Sequence, residues 1–185
     1  MKPATAAVAE TTAGIAPLDV LEQRHIAQTL DWLRGTDDIF RRVKPATPSP
    51  HLVSYVALID PHARAIFLGR HRKASLWLPM GGHLEPGERP LDAARREAVE
   101  EIAIEPQFTV VGEEPLFLTV TTTRGPAAHV DISFWHVISG NSALEYALDP
   151  AEFDGGHWWD FDKSTLPDSD PHLARFLTKL GDALP

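Results

Sequence analysis

The chain lacks cysteine and is short of basic residues, and both shortages limit its functions. No cysteine among 185 residues means no disulfide, no thiolate zinc site and no cysteine nucleophile. Lysine and arginine number 17 against 26 aspartates and glutamates, a formal net charge of −9. We therefore expect no nucleic-acid partner, because such binding needs a basic surface. Since no apolar run reaches the roughly 20 residues of a membrane span, we also expect no membrane partner.

The beginning of the chain contains no apolar segment of the kind found in signal peptides. Glu10 interrupts a stretch rich in alanine and threonine, so we expect a cytoplasmic protein. Residues 1–16 are predicted to form a flexible tail. Residues 17–50 are predicted to form a helical extension, with a short second helix up to Phe40 and then a proline-rich linker. The apolar stripe of the extension must be buried either on its own domain or across a homodimer.

Residues 51–185 have the pattern of one domain that contains strands and helices. Runs rich in valine, isoleucine and leucine predict strands at 52–59, 65–70, 115–123, 129–138 and 158–161, with turns at 60–63 and 125–126. Apolar spacing predicts helices at 17–34, 90–102 and 171–180. Strands on either side of a central helix indicate α/β or α+β layers with a mixed sheet. The hydrophobic fraction of 43% is enough for a core.

The central helix follows a loop with unusual backbone freedom. Three glycines and a proline lie among residues 81–87, and the helix begins at Pro90. Glu97, Glu100 and Glu101 stand at i, i+3 and i+4, which places three carboxylates together beside the apolar face. Such a cluster repels itself unless cations neutralise it, and Mg²⁺ prefers oxygen ligands. The alternative is an ordinary solvated acidic face, which the helix by itself does not exclude.

The loop and the helix together resemble the signature box of the Nudix hydrolase family. The box spans residues 82–104 here, and its spacing is matched by Gly82, Glu88, Arg96, Glu97, Glu100 and Glu101. One position departs from the pattern, because Ala103 replaces a glycine that normally ends the helix. We expect a left-handed alanine there to cost about 1 kcal/mol, or the helix to end in another way.

The resemblance implies a fold, a reaction and a set of metal ligands. The fold is an α/β Nudix-type α/β/α sandwich with a mixed β-sheet, and the N-terminal helical extension lies outside its core. The ligands of Mg²⁺, or of Mn²⁺ in its place, are the three helix glutamates and the Gly81 carbonyl, with Glu97 acting as ligand or as base. Glu88 and Arg96 form an ion pair that joins the loop at Gly82 to the helix. The reaction is hydrolysis of a phosphoanhydride in a nucleoside diphosphate linked to another moiety, by attack of a metal-activated water.

Two classes of function stay open on this evidence. A pyrophosphohydrolase would turn over a small nucleotide-type substrate in the presence of the metal. A non-catalytic Nudix-like sensor would bind a nucleotide or a sugar-nucleotide without cleaving it. Sensors often lose the carboxylates of the box, so the intact set in this chain favours the enzyme.

One further carboxylate is expected from outside the box. Many Nudix proteins recruit an acidic residue before the late strand, and Glu152 lies in that position here. It is a candidate fourth catalytic carboxylate, with Glu145 and Asp154 as rivals. The alternative for each is a solvated acid on a loop.

Candidates for substrate binding lie on or just after two of the predicted strands. Arg70 and Arg72 could bind phosphates, but solvated surface charge is the simpler explanation. His129, Asp131 and Trp135 share one strand face by alternation, and this face could line the substrate cleft with Trp135 stacked on a base. The alternative is a half-exposed sheet face without a binding role.

Overall fold

The structure is a computed structural model that describes residues 1–44, 47–124 and 128–184. Its helices are α1 (Pro3–Gly14), α2 (Val20–Gly35), α3 (Pro90–Ile102) and α4 (Leu173–Ala183). Its strands are β1 (His51–Asp60), β2 (Ala65–His71), β3 (Leu76–Leu78), β4 (Met80–His83), β5 (Phe117–Thr122), β6 (Val130–Ser139) and β7 (Phe153–Asp160). Within these described ranges, no helix has both the length and the apolar character needed to cross a membrane.

The strands form one mixed sheet with helices on both faces. The main order is β3-β2-β1-β6-β5, while β4 pairs with β1 and β7 pairs with β2. Strands β1 and β6 are parallel, and the other pairs are antiparallel. Helix α4 packs on one face through Leu173, Phe176 and Leu180. Helix α3 packs on the other through Ala98 and Ile102. The predicted α/β/α sandwich is therefore confirmed.

Most of the predicted strands form where the sequence patterns place them, but the start of β7 and the segment after α2 differ from the prediction. The hairpin of β1 and β2 and the strands β5 and β6 form where they are expected. Strand β7 begins at Phe153, before the predicted 158, because its earlier residues also pair with β2. The short helix predicted up to Phe40 is wrong, since the Thr36 hydroxyl accepts the Asp38 N–H in a local turn. The turn predicted at 125–126 lies outside the described residues.

The N-terminal region contains a helix, α1, where the sequence predicts a flexible tail. Val8 of α1 is fully buried in an apolar cluster with Leu33 of α2 and Leu52 of β1. Burial of this valine supplies the packing that a short alanine-rich helix needs in order to be stable. Because Leu33 is also buried within the same chain, the extension packs on its own domain, and a homodimer stays a prediction.

Helix α2 covers the outer edge of β5. The Glu22 carboxylate accepts the Leu118 N–H at 3.1 Å, and His25 Nδ1 accepts the Val120 N–H at 3.4 Å. Lys179 on α4 donates to the same carboxylate at 2.8 Å, and Glu22 is completely buried. An edge strand with unpaired amides is open to unwanted pairing, so these two polar side chains close the sheet.

Candidate active site

The glycine loop is held against the first strand of the sheet. Strand β4 pairs with β1 so that Gly81 lies opposite Tyr55 and Gly82 opposite Ser54. Gly81 has φ of 140°, and a Cβ there would collide with the Ser54 carbonyl. Only glycine fits this position. The close approach brings the Gly81 amide to the Glu101 carboxylate, to which it donates at 2.7 Å.

Helix α3 is fixed at both of its ends. The Ser54 hydroxyl donates to the Pro90 carbonyl at 2.8 Å and anchors the first turn to β1. The helix ends at Ala103, which adopts the left-handed conformation with φ of 54° and ψ of 35°. An alanine in this region costs about 1 kcal/mol relative to glycine. Ala103 therefore adopts the backbone conformation that is typical of a glycine at this position, and α3 still contains Glu101 in its last turn.

Arg96 joins the loop to the carboxylates of α3. Its Nε and Nη2 donate to the two oxygens of Glu88, each at 3.0 Å. Its Nη1 donates to Glu97 at 2.7 Å and to Glu100 at 3.0 Å, and Nη2 also donates to the His83 carbonyl at 3.2 Å. These bonds raise the pKa of Arg96 further above its ordinary value. One guanidinium thus orients three glutamates and the loop.

Glu97 and Glu101 are buried carboxylates with too few cations around them. Their exposed fractions are 7% and 5%. Burial raises the pKa of Glu97, against the opposing effect of Arg96. Burial also raises the pKa of Glu101 to about 9, which the Gly81 amide opposes and the negative charges of Glu97 and Glu152 reinforce. Burial disfavours the ionised forms of these clustered oxygen donors, and a hard divalent cation would stabilise those forms, so the residues fit Mg²⁺ or Mn²⁺.

The structure brings Glu152 toward this pair. Its negative charge acts on both Glu97 and Glu101, and its carboxylate lies 3.5 Å from His71 Nε2. Asp149, which the sequence analysis missed, precedes it in the same loop. Its N–H donates to the Glu101 carbonyl at 2.8 Å. This bond ties the loop to the last turn of α3.

The two rivals of Glu152 have other surroundings. Asp154 forms an ion pair with Arg72 Nη1 at 3.0 Å. Arg72 also donates through Nε to the Phe153 carbonyl at 3.2 Å, so its guanidinium is engaged with β7. Glu145 is exposed, and so is Arg70 at the end of β2. Within the described part of the chain, none of these four residues forms a hydrogen bond or an ion pair with the carboxylates of α3.

Trp135 does not line a cleft, which corrects the expectation that it stacks on a base. Its ring is fully buried and stacks on Phe176 of α4, with the ring centroids 4.8 Å apart. Its Nε1 donates to the Thr119 hydroxyl at 3.1 Å. The alternation on β6 is present, but α4 covers this part of the face. His129 and Asp131, nearer the start of the strand, lie together with two further histidines.

Arg41 is a cation near the site that the sequence analysis missed. Burial lowers the pKa of its guanidinium, and the negative charges of Asp131, Glu152 and Glu97 oppose that change. These acids come from β6, the loop before β7, and α3, so Arg41 interacts with carboxylates from three parts of the fold. It belongs to the N-terminal extension, where no motif in the sequence marks it.

Comparisons with known proteins agree with this geometry. The family model described as the NUDIX domain matches residues 49–180. A hydrolase of the NUDIX family from Clostridium perfringens has a similar structure, with a TM-score of 0.55 at 20% identity over 73% of this chain and 98% of that one. A MutT NUDIX hydrolase from Burkholderia pseudomallei reaches a TM-score of 0.52 at 19% identity, over 70% and 95% of the two chains. No curated protein sequence matches the chain. Because the family model covers well over half of its residues, the chain belongs to the Nudix hydrolase family, whose members act on pyrophosphate bonds.

Proposed function

We propose that this chain is a pyrophosphohydrolase that depends on Mg²⁺ or Mn²⁺ and cleaves the phosphoanhydride of a nucleoside diphosphate linked to another moiety. The observation that carries the proposal is the buried pair Glu97 and Glu101. Two buried carboxylates with raised pKa values, of which Glu97 is paired with Arg96 and Glu101 accepts the Gly81 amide, are costly to maintain without a bound cation. A cation bound there gives the cluster its function and offsets its cost.

The residues that would hold the cation are the three glutamates of α3 and the Gly81 carbonyl. When bound, a divalent cation polarises phosphate oxygens and makes a coordinated water more acidic. The Gly81 amide orients Glu101, and Arg96 orients Glu97 and Glu100. Because these donors are already placed, little reorganisation is needed when the substrate arrives.

Glu152 is the candidate for the group that takes the proton from the attacking water. It is 41% exposed on a loop that is tied to α3, so it can reach both solvent and the buried pair. His71 Nε2, which lies 3.5 Å from the Glu152 carboxylate, can then take the proton from Glu152. Glu97 is the second candidate, but its carboxylate already accepts a hydrogen bond from Arg96 Nη1 at 2.7 Å.

Arg41 should bind the phosphates of the substrate. We expect Arg41→Gln to raise KM about tenfold with little change in kcat, because one charge-assisted contact to phosphate is lost from the ground state and the transition state alike. Steady-state kinetics with the preferred substrate measure both constants. The matched control is Arg42→Gln, since Arg42 is exposed and paired with Asp38 at 2.7 Å. An unchanged KM in Arg41→Gln would show that this cation does not contact the substrate.

The proposed function is tested by turnover of a set of candidate substrates. Nucleoside triphosphates, oxidised nucleotides, sugar-nucleotides, dinucleotides and coenzyme A are each incubated with the protein and Mg²⁺, with and without a chelator. We expect phosphate-containing products from at least one compound, and their loss with the chelator. Binding by calorimetry without chelator-sensitive turnover of any compound would overturn the proposal in favour of a sensor. The cytoplasmic location and the small-molecule partner stay predictions of the same proposal.

A further inference from the structure

A second cluster of side chains that could bind a metal contains none of the carboxylates of α3. It consists of His51 at the start of β1, His83 at the end of β4, and His129 and Asp131 at the start of β6. One nitrogen of each ring and one carboxylate oxygen all lie within 4.8 Å of one another. The sheet register explains the assembly, since His51 is directly opposite Asp131 and His83 is opposite Val53.

The distances in this histidine cluster match those of a tetrahedral metal site. Bonds of about 2.0–2.1 Å from a tetrahedral metal place its ligand atoms about 3.3 Å apart. His51 Nε2 lies 2.9 Å from His83 Nε2 and 3.0 Å from Asp131 Oδ1. Asp131 Oδ1 lies 3.3 Å from His129 Nε2 and 3.8 Å from His83 Nε2. Four of the six pairs of ligand atoms are thus separated by distances close to the tetrahedral value, and all four atoms lie within 4.8 Å of one another.

The hydrogen bonds outside the cluster hold two of the rings in the orientation that a metal needs. His51 Nδ1 lies 2.6 Å from the Pro48 carbonyl, and a carbonyl can only accept, so Nδ1 carries the proton. The Thr123 hydroxyl donates to the His129 carbonyl at 3.3 Å, which leaves its oxygen, 3.2 Å from His129 Nδ1, able to accept the N–H of that nitrogen. In a neutral ring protonated at Nδ1, the lone pair is on Nε2, which faces the cluster. Histidine ligands of metals typically donate their other N–H to an outer acceptor in this way.

Asp131 is not satisfied by the groups around it. Its Oδ1 is buried and accepts no hydrogen bond of good geometry from the described residues, although three ring nitrogens lie within 3.8 Å. The lone pair of the fully buried His51 therefore faces a carboxylate oxygen at 3.0 Å. Two acceptors at this distance repel each other unless a proton or a metal ion lies between them, and a metal ion would satisfy all four ligand atoms together.

We infer that His51, His83, His129 and Asp131 bind a transition-metal ion such as Zn²⁺, separate from the divalent cation of the carboxylate site. Three imidazoles and one carboxylate suit Zn²⁺ and its neighbours, whereas Mg²⁺ prefers oxygen ligands only. Four protein ligands complete a tetrahedron, so the site has a structural role. It joins the ends of β1, β4 and β6 next to Gly82. Since the His83 carbonyl accepts from Arg96, the ion also supports the loop of the active site.

The inference is tested by binding Co²⁺ and Zn²⁺ to the full chain after treatment with a chelator. Tetrahedral Co²⁺ has an intense visible absorption that octahedral Co²⁺ on oxygen ligands lacks. We expect this absorption at one equivalent, its displacement by Zn²⁺, and a rise in the unfolding temperature with Zn²⁺. The Glu101→Gln variant should give the same spectrum, because the carboxylate site is not involved.

Variants of two ligands identify the residues. His83→Gln and Asp131→Asn should each weaken Zn²⁺ binding by at least about a hundredfold, since loss of an outer partner alone costs up to that much. The control is His62→Gln, an exposed histidine in the turn after β1, which should bind Zn²⁺ as the wild type does. Absence of the tetrahedral spectrum in the wild type, or unchanged affinity in a folded His83→Gln variant, would overturn the inference. The wild-type titration decides by itself if both variants fail to fold.

Discussion

Replacing Glu101 with glutamine should reduce hydrolysis of the preferred substrate at least about a hundredfold, because the change removes one metal ligand. Glutamine keeps an oxygen that can accept the Gly81 N–H, so the loop and α3 should stay together. What it removes is the negative charge on which cation binding depends. Initial rates at saturating Mg²⁺ measure the effect. Turnover near the wild-type level would contradict the assignment of the site.

Two controls separate this loss from unfolding. Glu105→Gln changes an exposed glutamate just beyond the same helix and should leave the rate unchanged.

The second control is the stability of the metal-free protein. Burial raises the pKa of Glu101 from 4.5 to about 9, so the metal-free wild type favours its protonated form. Its contribution to stability is therefore present at low pH and is lost as the pH rises through that interval. Without metal, the free energy of unfolding of Glu101→Gln should not fall with pH in this way. At pH 8 the variant should be at least as stable as the wild type.

Removing the ammonium of Lys179 should destabilise the protein by about 3 kcal/mol, because its partner Glu22 would be left as a buried charge. Glu22 is completely buried and lies 2.8 Å from Lys179 Nζ. The amides of Leu18 and Leu118 would still donate to it, which keeps the cost at the lower end of the range for buried pairs. The free energy of unfolding of Lys179→Met in urea measures the effect.

A double-mutant cycle shows whether the loss comes from the pair. Glu22→Gln combined with Lys179→Met should be less destabilised than the two single effects added together. Lys163→Met removes an exposed lysine and should unfold like the wild type. Additive effects in the cycle would mean that the N-terminal extension is not held to α4 by this ion pair.

The centre of the site was predictable because its residues are close in sequence. Glu97, Glu100 and Glu101 share one helix, and the geometry of a helix alone places their carboxylates together. The loop before it contains Gly81, whose unusual backbone only glycine tolerates without strain. Even the departure at Ala103 has the outcome that the sequence allowed, a left-handed residue at the helix end.

The wrong prediction for Trp135 has a different origin. Alternation along β6 predicts that Trp135 lies on the same face of the strand as Asp131, and β6 does contain both residues. Alternation does not tell which helix covers which part of a face. Phe176 of α4 packs on the ring and removes it from solvent.

The sequence by itself determined the family, the central helix with its carboxylates and most of the strands of the sheet, because these follow from local spacing and from turn residues. Only the tertiary structure decided what lies around them. It placed Arg41 near the carboxylates, α2 on the edge of β5, and His51 beside Asp131. Each of these contacts joins segments that are far apart in the chain. Such contacts depend on how sheet register and helix packing bring those segments together, and no local pattern of residues encodes that arrangement.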